Sequence, residues 1–138
     1  MKHSHLILTA ILIIFLLIFS ACSENSPNAI EICKEDSMLV EYYEDGGVVH
    51  FICEIVLVNH SSTEQTVKLY GFSQEDVEGG LLLNPNLTGY NIENQSDTFH
   101  VNSNSRCKLT VDFRGEYAGV LQKADRRIPD VLEIEIME

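Results

Sequence analysis

The chain has 138 residues, 45% of them apolar, and carries 21 Asp and Glu against nine Lys and Arg for a formal charge of −12. That supports one ordinary domain with one core, and the apolar content argues against wholesale disorder. So acidic a surface repels phosphate backbones and anionic headgroups, which excludes nucleic acid as the expected partner.

Met1 to His5 is a short polar start with one fixed positive charge at Lys2, and Leu6 to Phe19 is apolar except for Thr9. Positive-then-apolar is the order of an export signal. A spanning helix needs ~20 apolar residues to cross ~30 Å of hydrocarbon, and this run is shorter. The leader holds one of the nine bases and none of the acids, so the rest of the chain sets 21 acids against eight bases. Ser20, Ala21 and Cys22 follow, and then the polar stretch SENSPN.

These residues resemble the lipobox of bacterial lipoproteins, in which small residues precede a cysteine that is diacylglycerated and becomes the new N-terminus; Phe19 stands where that family usually has Leu. The resemblance implies a signal peptide over 1–21, lipidation at Cys22, a polar tether over 22–29 and a folded domain over 30–138. Two acyl chains suffice for stable anchoring, so the domain is expected outside the cytoplasm on the membrane. Two other readings use the same residues. An ordinary signal peptidase cutting after Ser23, with Ala21 at −3, discards Cys22, and an uncleaved run remains as an anchor.

The rest of the chain reads as strands. MLVEYY and VVHFICEIVLV flank EDGG at Glu44 to Gly47, which predicts a hairpin over Met38 to Val58. Val49, Phe51, Cys53, Ile55 and Leu57 are apolar at spacing two, and the opposite phase is mixed. NHSSTE is a turn. QTVKLYGFS is the next strand, with Val67, Leu69 and Gly71 in one phase. GGLLLNPNLTGY is punctuated and irregular, and DTFHVNSNS is a short strand with a polar turn. In RCKLTVDFRG, Cys107, Leu109, Val111 and Phe113 point one way and Arg106, Lys108, Thr110, Asp112 and Arg114 the other. EYAGVLQKADRRI has room for a helical turn or two, and DVLEIEIME alternates again.

Seven or eight short strands separated by Asn, Ser, Gly and Asp turns predict an all-β fold, a single antiparallel β-sandwich, with a small β-barrel as the alternative. Over Val48 to Gly115 the order of strands and turns resembles the immunoglobulin-like and fibronectin-III-like modules of bacterial surface lipoproteins.

Three cysteines remain beyond the lipid site, so at most one internal disulfide forms. Cys53 and Cys107 share the apolar phase of their strands and are the candidate bridge across the sandwich, as in immunoglobulin domains. Free buried thiols, or a bond involving Cys33, are the alternatives. His50, His60 and His100 are scattered singly, with neither a C-x-x-C nor an H-x-x-x-H pair after the leader, so no metal or other cofactor is expected. EYYEDGG and SQEDVEGG lack the spacing of a calcium loop and read as solvated turns. Without G-x-S-x-G or S-x-x-K, and with Cys53 assigned to the core, nucleophilic catalysis has no support. The tyrosines fit sheet positions. Asn59, Asn86 and Asn94 begin N-x-[ST] triplets, read in a bacterium as accidents of loop composition.

QKADRRIPD concentrates three of the positive charges, and Arg126 and Arg127 are the candidates for a partner-facing clamp. The combined reading is a lipid-anchored, non-catalytic binding module of the cell envelope with a protein partner. The competing one is a secreted ligand-binding or inhibitory module acting on a cationic or small-molecule target.

Overall fold

Gly46 and Gly47 have φ of +59° and +85°, the paired left-handed backbone that a two-residue hairpin turn requires. They join β2 (Met38–Asp45) to β3 (Val48–Asn59), so the predicted hairpin forms where the sequence places it. In the computed structural model, which describes residues 29–121 and 128–138, β1 (Ile30–Ile32) and a 3-10 turn (Lys34–Asp36) precede this hairpin. After it come β4 (Gln65–Phe72), a short helix α1 (Gln74–Glu78), β5 (Asn86–Asn91), β6 (Phe99–Val101), β7 (Ser105–Glu116) and β8 (Val131–Ile136).

The fold is all-β. All eight strands join one antiparallel sheet, in which β3 and β7 pair along their whole lengths from Val48↔Glu116 to Asn59↔Ser105. β1 and β2 share the other side of β3, and the path continues from β7 through β5 to β4. β5 is the corner. Asn86 to Thr88 pair with β4, and Thr88 to Asn91 pair with β7, so the strand leaves one half of the sheet and enters the other. The halves curl toward each other, nearly into a barrel, between the sandwich and small-barrel shapes expected from the sequence.

Between the halves lies the core. Val49, Phe51, Cys53, Ile55 and Leu57 from β3 and Val111 and Phe113 from β7 meet Val67, Leu69, Phe99 and Val101 from β4 and β6, all at 1% exposure or less. These are the phases that alternation assigned inward, and burying each large side chain contributes about 1.5–3 kcal/mol. Leu81, Leu82 and Leu87 plug the end beside β5.

The irregular GGLLLNPNLTGY stretch contains β5, which its glycines and short length conceal. β1 and α1 are likewise too short to show a period. The disulfide expectation is corrected by the register. Cys53 pairs with Val111 and Cys107 with Leu57, so the two thiols lie in adjacent strands of the same half, four residues apart along the ladder. At ~3.3 Å per residue that is ~13 Å, far beyond the ~7 Å limit for bridged Cα atoms. Cys33, Cys53 and Cys107 are free thiols.

Candidate functional site

On the outer face of β2, β3, β7 and β5 the register sets Tyr43 opposite His50, His50 opposite Arg114, and Arg114 opposite Thr88. Asp112, one row away, lies between Ile52 and Tyr90. It belongs to the solvent phase of β7 but is only 3% exposed. Its carboxylate stays there because two partners meet it: His50 Nδ1 is 2.9 Å from Oδ2, and Arg114 Nε donates to Oδ2 at 2.7 Å. The ring of Tyr43 stacks on His50 at 4.8 Å, and the Arg114 guanidinium lies 4.3 Å over the Tyr90 ring while donating to Gln95.

A buried carboxylate is costly unless paired, and this one is held on both sides. An open hollow of about 460 Å³ borders the network, lined by Asn84, Asn86, Thr88, Tyr90, Arg114 and Glu116 among others. The sequence offered His50, Asp112 and Arg114 as unrelated outward residues. The signal that unites them is the antiparallel pairing of the two most regular strands, which brings residues 50, 112 and 114 into adjacent rows.

Asn59 is the second polar group that sequence reading missed. It ends the core-facing phase of β3, is 1% exposed, and its Nδ2 donates to the carbonyls of Thr63, Val101 and Asn102 at 2.9–3.1 Å. Its Oδ1 accepts from the Ser61 backbone N–H and hydroxyl. Thus the triplet that begins at Asn59 is a structural device, with its amide inside the domain.

No protein-family model, curated protein or solved structure matches this chain. The site is therefore read from its own geometry. Cys22, Arg126 and Arg127 lie outside the described residues. Among the described residues no helix is long and apolar enough to cross a membrane.

Burial, and secondarily the charge of Asp112, push the Cys53 thiol up to about 12. Burial also raises Cys107, which is half-exposed. A thiol raised in the folded state favours folding below its unfolded value near 9 and loses that contribution as pH climbs toward 12. Iodoacetamide at pH 8 is expected to label Cys33 and Cys107 while sparing Cys53, which should label only in denaturant; peptide mapping by mass spectrometry reads this directly. Rapid native labelling of Cys53 would contradict its burial.

One more feature stands open. β1 and β8 are edge strands on opposite sides of the curled sheet, and no ladder joins them among the described residues. Between them runs a groove of about 400 Å³ lined by Ile30, Ile32, Leu132, Ile134 and Ile136, with Glu31 and Lys34 at its rim. At one end Lys34 Nζ donates to the Asp130 carbonyl at 2.9 Å and clasps the two edges together.

Proposed function

We propose that this protein is a lipid-anchored, extracytoplasmic module that acts by binding, without catalysis, in the cell envelope. The observation that carries the binding reading is the unclosed groove between β1 and β8, where two strand edges face each other without a ladder between them and apolar residues line the gap. The outer-face network supports it from the other direction. Asp112 is buried and meets donors from β3 and from its own strand, His50 and Arg114, a pairing that braces neighbouring strands against one another.

The address rests on the leader. A positive start, an apolar run and Ser20–Ala21–Cys22 lead through a polar stretch to the first strand at Ile30. Cys22 would carry the acyl chains, and the acidic domain would stand off an anionic membrane surface by charge repulsion. Cys22→Ser is expected to move the protein from the membrane fraction to the soluble fraction, or to leave it unprocessed at higher mass. An unchanged membrane fraction and unchanged mass would sink the lipid anchor. Cross-linking capture from the native cells, followed by identification of what is bound, tests the binding role itself.

A second reading is favoured by the hollow beside Arg114 and Tyr90, whose size falls in the range of small-ligand pockets. It makes the module a receptor for a small molecule instead of a protein.

A further inference from the structure

In an antiparallel ladder, alternate residues turn their N–H and C=O toward the neighbouring strand and the others turn both away. Ala29 O accepts from His60 N, and Cys33 N donates to Val56 O. Residues 29, 31 and 33 therefore face β3, and Ile30 and Ile32 direct their backbone groups away from it, toward β8. On the other edge Met137 N donates to Thr66 O. By the same alternation 133, 135 and 137 face β4, and Leu132, Ile134 and Ile136 direct their backbone groups toward β1. Five residues thus offer unpaired donors and acceptors to one groove, and their apolar side chains line it.

We infer that the groove between β1 and β8 accepts an extended strand of a partner protein that alternates apolar and basic residues. This rests on the binding-module reading above and specifies its site and partner. The apolar residues of the incoming strand would enter among Ile30, Leu132 and Ile134. Its outward residues would lie between the exposed Glu31 on one side and the exposed Glu133 and Glu135 on the other, which calls for Lys or Arg.

The same charges disfavour a second copy of this chain. Pairing β8 with another β8 would set Glu133 and Glu135 against their own kind. Orientation is also constrained. Five successive antiparallel pairings, from β1 through β3, β7, β5 and β4 to β8, leave β1 and β8 running in opposite directions. An inserted strand is antiparallel to one and parallel to the other, and the longer β8 is the antiparallel partner. The clasp from Lys34 to Asp130 closes the end where β1 stops and β8 begins, so the strand enters from the end near Ala29 and Ile136.

The test uses the full chain in non-ionic detergent and three nine-residue peptides: one alternating Lys with Val or Ile, one with Glu in place of Lys, and one with the first composition in two blocks. The alternating Lys peptide should bind saturably and slow amide exchange at Ile30, Ile32, Leu132, Ile134 and Ile136 at least tenfold. The Glu and block peptides should bind at least tenfold more weakly. Glu133→Lys combined with Glu135→Lys should reverse the charge preference, with folding checked by its melting curve.

Absence of binding, binding without slowed exchange at those five amides, or equal affinity for the block peptide would overturn the inference. So would amides already slow before peptide is added, since the groove would then be filled by the chain's own N-terminal residues or by another copy. Cross-linking capture that persists in the Glu133→Lys, Glu135→Lys variant would leave the binding module standing and remove the groove as its site.

Discussion

Asn59→Ala should lower the unfolding free energy by about 2–4 kcal/mol, a loss out of proportion to its polar side chain and larger than a typical surface change. Its Nδ2 contacts three carbonyls, that of Thr63 in the turn after β3 and those of Val101 and Asn102 at the end of β6, and Val101 is fully buried. Removing the amide deletes all three of these hydrogen bonds, which tie the end of β3 to the turn after it and to the end of β6, and leaves a void at a position only 1% exposed. Asn59→Asp should be worse near neutral pH, because a carboxylate would face those same oxygens. Their repulsion raises its folded pKa above the unfolded value near 4. Such a group favours folding below its unfolded pKa and loses that contribution as pH rises through the raised folded value. The gap in chemical-denaturation stability between Asn59→Asp and the wild type should therefore narrow as pH falls toward 4. Equal stability of Asn59→Ala and the wild type would show that the hub is ornamental.

Gly89→Ala is expected to cost about 2–3 kcal/mol, with a melting temperature lower by roughly 4 °C for each kcal/mol. A Cβ at Gly89 would stand 2.9 Å from the Leu69 carbonyl oxygen, 2.9 Å from Val111 Cγ1 and 3.1 Å from Phe113 Cε1. The carbonyl belongs to the backbone of β4, so relief requires moving a strand. Gly115 supplies the control. A Cβ there would lie even closer to its neighbours, 2.6 Å from Leu87 Cδ2 and 2.7 Å from Leu82 Cδ2, but these are tips of flexible side chains that can turn. Gly115→Ala should cost less, about 1 kcal/mol, because rotamer adjustment is cheaper than strand displacement. If the order of the two variants is reversed, β5 does not make its crossing under backbone constraint.

The contrast explains what the sequence could reveal. Long strands with one apolar phase announce themselves, and β3, β4, β7 and β8 were legible because a period of two repeated over six residues or more. β1 has three residues, which is too few for a period, and β5 turns Leu87, Gly89 and Asn91 to its inner side, of which only Leu87 is a large apolar residue, so no apolar period shows. Polar residues mislead for a related reason. The phase of Asp112 points to solvent, but a short carboxylate close to the sheet is covered by the longer side chains of His50 and Arg114. Asn59 adjoins a turn and reads as part of it, although its parity with Val49 through Leu57 places it inward. The Cys53–Cys107 bridge failed on register, which alternation does not specify: two strands share a phase at any even offset. The groove was invisible for the same reason, since it depends on which strands remain unpaired at the end.

The long β3–β7 ladder also dictates an order of events. β3 can fold at once against β2 through its two-glycine turn, but Val48 has to wait for Glu116 and Asn59 for Ser105, with most of the domain in between. Non-local pairing of this kind slows folding, typically into the millisecond-to-second range. Until β7 arrives, the growing chain carries a hairpin with the long edge of β3 bare and an uncovered apolar row from Val49 to Leu57, with Glu54 on the opposite face as the single fixed charge of that stretch. Such a segment pairs readily with any other extended chain. The acidic pair Glu44 and Asp45 at the tip of the hairpin, and Glu54 within it, are what keep this stretch from sticking to its copies during that interval.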